Sequence, residues 1–216
     1  MKTLIISGGR IDVDFVLGVL EQPFDHIICA DKGLAFCYKQ EIRPTRIVGD
    51  FDSLQPEILE KYRHTDIELR EFNPVKDATD TQITVELALE LGSTDITIVG
   101  ATGTRLDHVL GNIHTLYLPF EKGVSCRILD EYNRIRLISG DISLKREEQY
   151  GDFFSLIPFT EEVRGVTLQG VKYPLSDYDF TVRGSASRGI SNEITEDVAQ
   201  ITIGEGIMIL IESRDS

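Results

Sequence analysis

Acidic side chains recur beside glycine and basic residues in the first half of the chain. Asp31 stands in ADKG, Asp50 and Asp52 in GDFDS, Asp77 and Asp80 in KDATD, and Asp107 in GTRLDH. Carboxylates repel one another, so a fold that gathers them must offset the charge. A divalent cation holding a polyphosphate does this. Mg²⁺ takes hard oxygen ligands, binding through one or two carboxylates plus substrate phosphates. Asp is also favoured at helix caps and turns, which would account for any one of these positions. The basic neighbours Lys32, Lys76 and Arg105 favour the phosphate reading for the set.

The spacing adds detail. Gly49 permits a sharp turn after a strand. Side chains at i and i+2 of extended chain point the same way, so Asp50 and Asp52 can reach one cation. Asp77 and Asp80 lie three apart at a helix start and share a face, with Thr79 placed to cap. GATGTRLDH is a glycine-rich strand-to-helix turn, where free N–H groups meet an anion and Arg105 adds a fork of donors. His108 adjoins Asp107 and is placed to touch substrate, although such a histidine is equally at home on a helix surface. Neither GxxxxGK[ST] nor GxGxxG occurs, which disfavours P-loop and dinucleotide enzymes. SGGR at 7–10 is a second glycine turn. SASRGISNE at 185–193 is a polar stretch suited to holding a small molecule.

These groups need elements to hold them. Residues 3–7, 26–30, 46–48, 68–71, 95–99 and 124–129 read as strands. Residues 11–20, a short stretch from Lys32, 55–62, 79–91 and 105–117 read as helices. The 79–91 stripe is Ile83, Leu87, Ala88 and Leu91. The 105–117 stripe is Leu106, Val109, Leu110, Ile113, Leu116 and Tyr117. Alternating strands and helices predict an α/β N-terminal domain with a mainly parallel sheet, whose ligands bind beyond the carboxyl ends of the strands. After about residue 132 come short β-branched runs at 134–139, 142–145, 152–158, 163–168 and 199–211, without a long helix. They predict a C-terminal all-β sandwich. The boundary is expected between 1–132 and 133–216.

Composition narrows the partners. The chain has 216 residues, 41% of them hydrophobic, and a net charge of −14. Nucleic acid and anionic membranes are poor partners for such a surface. No apolar run reaches the roughly 18–20 residues of a membrane span, so a cytoplasmic protein is expected. Cys29, Cys37 and Cys126 are widely spaced without CxxC, and are expected to be reduced thiols.

Taken in order, GDFDS, KDATD, GTRLDH and GISNE resemble the motifs of thiamine pyrophosphokinases of the bacterial type, over essentially the whole chain. The resemblance implies transfer of the pyrophosphoryl group of ATP to the thiamine hydroxyl, giving thiamine diphosphate and AMP. It also implies a homodimer with the active site between subunits. Asp50, Asp52 and Asp80 then match the Mg²⁺-associated acids and, with Arg105, the catalytic set. Asp31, Lys76, Asp77, Gly103, Arg105, Asp107 and His108 match positions around ATP. Ser187, Ser191 and Asn192 match the thiamine loop. Asp52 and Asp80 are equal candidates for the base that takes the hydroxyl proton. Two departures stand out: Thr104 replaces a common glycine, and the chain has no Trp to lie beside thiamine. The rival readings are a pyrophosphokinase for another heterocyclic alcohol, such as a hydroxymethyl pterin, and a non-catalytic nucleotide or thiamine sensor.

Overall fold

The computed structural model describes the chain apart from residues 52, 53, 72–77, 185 and 216. It divides into two compact units, Met1–Glu131 and Tyr132–Ser216.

The first unit alternates strands and helices: β1 (Lys2–Ile6), α1 (Val13–Leu20), β2 (His26–Ala30), α2 (Gly33–Lys39), β3 (Arg46–Gly49), α3 (Pro56–Arg63), β4 (Glu68–Glu71), α4 (Asp80–Glu90), β5 (Asp95–Val99), α5 (Leu106–Thr115), α6 (Tyr117–Glu121) and β6 (Ser125–Leu129). Its strands lie in the order β4-β3-β2-β1-β5-β6, and every pairing among them is parallel. The chain steps outward from β1 through β4, then returns to pair β5 on the other side of β1. The crevice between β1 and β5 is therefore the topological switch point, where open α/β sheets take ligands. The inner strands are buried almost throughout, as a sheet covered on both faces requires.

Local chemistry sets the helix starts. Asp12 caps α1 by accepting from the Phe15 N–H at 2.9 Å. Thr79 caps α4 by accepting from the Gln82 N–H at 3.2 Å. Pro56 opens α3, where its missing N–H costs nothing.

Two helices depart from the expected registers. In α4 the buried face is Thr81, Thr84, Val85, Leu87 and Ala88, while Ile83 and Leu91 are only half-buried. A hydrogen bond between Thr81 and Ser7 turns the threonine side toward the sheet. The single helix expected over 105–117 is two helices, α5 and α6, broken at Leu116. Asn112 points inward and donates to the Ala101 carbonyl at 2.7 Å. That rotation buries Ile113 and Leu116 and leaves Leu106 71% and Leu110 59% exposed.

The second unit holds β7 (Asn133–Ile138), β8 (Ile142–Lys145), β9 (Phe153–Pro158), β10 (Glu162–Gln169), β11 (Leu175–Thr181), β12 (Val198–Thr202) and β13 (Met208–Ser213). β13 pairs antiparallel with β7 and β9. A second antiparallel sheet runs β11-β10-β12-β8. One apolar cluster joins the two faces, with Phe154, Leu156, Met208 and Leu210 meeting Val163, Val166, Phe180, Ala199 and Ile201. This is the expected all-β sandwich. The run at 199–211 is two strands rather than one. β11 escapes the sequence reading because Ser176, Asp177 and Asp179 face outward, and Asp177 breaks the alternation at φ 48°.

Glu212 is fully buried. Arg134 grips it with two donors, Nε at 2.8 Å and Nη2 at 2.5 Å, and the Tyr150 N–H donates to it at 3.2 Å. Burial of a carboxylate is tolerated only with such partners. Among the described residues, no helix is long and apolar enough to cross a membrane.

The sulphurs of Cys29 on β2 and Cys37 on α2 meet in the core, a pairing the spacing does not reveal. Their Cα atoms are 7.4 Å apart, beyond the roughly 4.4–6.8 Å spanned by most disulfides. We therefore read them as two buried thiols in contact. Protein prepared without reductant and then denatured should titrate as all 3 cysteines free. A titre of one would establish a covalent bridge.

Candidate active site

The site is built by turns that follow parallel strands and press against each other. After β1, the Ser7 N–H donates to Val99 O at 2.8 Å, the Gly9 N–H to Gly100 O at 2.7 Å, and the Arg10 N–H to Thr102 O at 2.8 Å. These bonds tie SGGR to GATGT. A Cβ on Gly9 would lie 2.4 Å from Thr102 O, so no larger residue fits. A Cβ on Gly8 would lie 2.9 Å from Lys32 Cβ, which brings ADKG to the same edge. The Asp31 N–H donates to Val48 O at 2.9 Å. Gly49 lies against Asp31, 3.3 Å from where its Cβ would be to the Asp31 Cα. Four turns thus converge at the carboxyl ends of β1, β2, β3 and β5.

The acids ride on these turns. Asp31 ends β2 with φ 44°, and Phe51, just past Asp50, has φ 58°. Left-handed backbone at non-glycine residues is uncommon and costs energy, and such residues cluster at functional sites. Asp80 opens α4. The Ser7 and Thr81 hydroxyls, buried and 2.7 Å apart, fasten that helix start to the turn after β1. The Thr84 hydroxyl donates to the Asp80 carbonyl at 2.6 Å. Asp31, Asp50 and Asp80 therefore lie on segments at one edge of the sheet.

At the start of α5, Gly103 packs on Arg10, its Cβ position 3.3 Å from the Arg10 nitrogen. Arg105 and Asp107 are exposed and form a two-pronged pair, with Nε to Oδ1 at 3.2 Å. Asp107 also accepts from the His108 N–H at 3.0 Å. The Arg105 guanidinium holds the Asp107 carboxyl at about 2, and the same bond raises the Arg105 pKa. A carboxyl so acidic is a poor base near neutral pH. The pair holds the Arg105 guanidinium against the Asp107 carboxylate.

Asp52, Lys76 and Asp77 lie outside the described residues. Among the described residues, no group of three or more His, Cys, Asp or Glu side chains is close enough to hold a metal ion unaided. The carboxylates at this edge are hard oxygen donors, which suits Mg²⁺ completed by phosphate oxygens and water.

In the second unit, Ser187 is exposed in a 3₁₀ turn at Ala186–Gly189. Ser191 is exposed with φ 56°, and its N–H donates to the buried Ser155 hydroxyl at 3.0 Å. Asn192 is buried and its amide is committed to the loop itself. Its Oδ1 accepts from the Tyr173 N–H at 3.0 Å and the Glu193 N–H at 2.9 Å, while Nδ2 donates to Tyr173 O at 2.9 Å. Asn192 thus shapes the loop, leaving Ser187 and Ser191 at its surface. Ser7, Thr81, Asn112 and Ser155 are positioning residues missed in the sequence. The available signal was a small polar residue inside an otherwise apolar stretch.

Residues 17–128 match the family model for the thiamin pyrophosphokinase catalytic domain, and residues 140–208 match that for the thiamin pyrophosphokinase vitamin B1 binding domain. The chain belongs to the thiamine pyrophosphokinase family. It is 33% identical to thiamine pyrophosphokinase of Bacillus subtilis (strain 168) over 217 residues, covering 100% of both chains. The crystal structure of the Bacillus subtilis thiamine pyrophosphokinase superposes with a TM-score of 0.87 at 30% identity over 100% of both chains. That from Geobacillus thermodenitrificans gives 0.85 at 29% identity, over 100% of this chain and 99% of that one. The yeast thiamin pyrophosphokinase shares the fold, with a TM-score of 0.80 at 17% identity over 98% and 86% of the two chains. The turns after β2, β3 and β5 fall within the catalytic-domain match, the turn after β1 precedes it, and the Ser191 loop falls within the vitamin-binding match.

The Arg105–Asp107 pair is open to measurement. In ligand-free protein, the Asp107 carboxyl carbon should titrate by NMR with a midpoint near 2. In Arg105→Ala it should return toward the ordinary 3.8. An ordinary midpoint in the unmutated protein would remove Arg105 as its partner.

Proposed function

We propose that this chain transfers the pyrophosphoryl group of ATP to the hydroxyl of thiamine, producing thiamine diphosphate and AMP. One observation carries the reading: the glycine-bearing turns after β1, β2, β3 and β5 pack on one another at one edge of the sheet, and Asp31, Asp50 and Asp80 lie on segments at that edge. Residues 1–132 form the ATP and Mg²⁺ half, and residues 133–216 the thiamine half. The active site lies between two copies in a cytoplasmic homodimer. The match of residues 140–208 to a vitamin B1 binding model supports thiamine over a pterin alcohol.

Transfer of this kind asks the protein for positioning and charge stabilisation more than covalent chemistry. The start of α5 faces the phosphate chain, and Arg105 and Lys76 add cationic donors. Asp50, Asp52 and Asp80 would hold Mg²⁺, and the cation would supply neutralisation of the charge on the phosphate oxygens. Asp52 or Asp80 accepts the proton of the thiamine hydroxyl. Asp107 is not that base, because Arg105 keeps it ionised and weakly basic.

Incubation with ATP, Mg²⁺ and thiamine should release AMP and thiamine diphosphate in equal amounts, with no AMP when a hydroxymethyl pterin replaces thiamine. Release of ADP instead, or turnover of the pterin alone, would refute the reading. Asp52→Asn should lower turnover at least ~100-fold at saturating metal and substrates, as loss of one electrostatic stabiliser does. Near-normal turnover would exclude Asp52.

A further inference from the structure

We infer that Arg10 is a phosphate-binding residue of the nucleotide site, and that Glu131 is the carboxylate its guanidinium leaves when nucleotide binds. The inference rests on the proposed function and adds two residues to its ATP half. Both lie outside the catalytic-domain match at residues 17–128.

Placement comes first. Arg10 closes the turn after β1, and its N–H donates to Thr102 O at 2.8 Å. Its Cβ packs on the next turn, 3.8 Å from where a Gly103 Cβ would stand. Its Nη2 lies 2.5 Å from Oε1 of Glu131. Glu131 follows β6, and the sheet runs β1-β5-β6 with all three strands parallel. Neighbouring strands lie about 4.8 Å apart, so the ends of β1 and β6 are separated by about 10 Å. The Arg10 side chain therefore crosses the carboxyl end of β5. That puts its guanidinium beside the GATGT turn, at the switch point where open α/β sheets take ligands.

Chemistry comes second. The Arg10 side chain is 59% exposed and that of Glu131 18%. Glu131 Oε1 is buried and accepts no hydrogen bond of regular geometry. The pair is thus close but poorly aligned, unlike the two-pronged bond arginine makes to a well-placed carboxylate. Partly exposed ion pairs of this kind contribute little to stability. An open guanidinium suits phosphate oxygens, which accept its forked donors in the same plane. The chain carries 36 acidic against 22 basic residues, so an anionic nucleotide needs local cations. Arg10 supplies one at the edge that also carries Arg105. Glu131 holds Arg10 extended across β5 in the ligand-free enzyme and competes with phosphate for it.

The experiment measures binding to the intact protein by calorimetry. The probes are a non-hydrolysable ATP analogue with Mg²⁺ and adenosine, which lacks phosphate. Arg10→Ala should raise the Kd of the analogue about ten-fold, the scale of a hydrogen bond to a charged group, and leave that of adenosine unchanged. Arg10→Lys should recover part of the loss. Glu131→Gln should lower the Kd of the analogue about three-fold, the scale of a partly exposed ion pair. In the Arg10→Ala background that gain should vanish. The KM for thiamine should stay the same in every variant. A pair that only braced the turns would make both single variants bind the analogue more weakly. That result, or an unchanged Kd in Arg10→Ala, would overturn the assignment while sparing the proposed function. A gain from Glu131→Gln that persisted without Arg10 would overturn the role of Glu131. A parent protein that binds no nucleotide would overturn both this inference and the proposed function.

Discussion

Backbone hydrogen bonds between turns are the constraint on which the rest of the first unit depends. Gly9 to Gly100 and Arg10 to Thr102, at 2.7 and 2.8 Å, require the loops after β1 and β5 to touch. They can touch only because glycine removes the side chains that would collide. Once they touch, their own hydrogen bonds tie the turns after β1 and β5 together across the switch point of the sheet. Asp31, Asp50 and Asp80 lie at the end of β2, after β3 and at the start of α4, on the same edge of the sheet. Without a bound cation, such a gathering of like charges in one region is unfavourable. The left-handed backbone at Asp31 and Phe51 adds to that cost. Both are what a site held ready for a charged ligand would be expected to carry.

The second unit solves a different problem with the same means. Its loop at 186–193 is held at the edge of β9 by the Phe154 and Asn192 backbones, which exchange bonds at 2.9 and 2.8 Å. Ser155 and the Asn192 amide complete the fastening. Small polar side chains are committed to backbone groups, which fixes the loop and leaves Ser187 and Ser191 exposed. Gly189 allows the close approach, since a Cβ there would lie 2.1 Å from Leu156 O.

The alternation of strands and helices, the parallel sheet and the sandwich were legible because burial enforces periodicity. That Asp31 and Asp50 follow strands and Asp80 opens a helix was legible, because glycine beside a short polar residue punctuates the end of an element. The register of α5 was not legible. Asn112 hydrogen-bonds the Ala101 carbonyl, and this one polar contact rotates an apolar stripe partly into solvent. Asn192 was misread for a related reason. Its type suggests a ligand contact, and only the structure places its amide against the Tyr173 backbone. β11 was hidden because an edge strand with three outward polar residues carries a weak alternating signal. The Cys29–Cys37 contact depends on how α2 folds back over β2, which spacing along the chain does not encode.

A crystal structure of the enzyme with Mg²⁺, a non-hydrolysable ATP analogue and thiamine tests the central claim most directly. The account predicts the triphosphate lying on the Gly9, Gly100 and Gly103 turns, with the metal bridging its oxygens to carboxylates from the set Asp50, Asp52 and Asp80. Nucleotide and cation bound together at any other surface, with those carboxylates left in water, would contradict it.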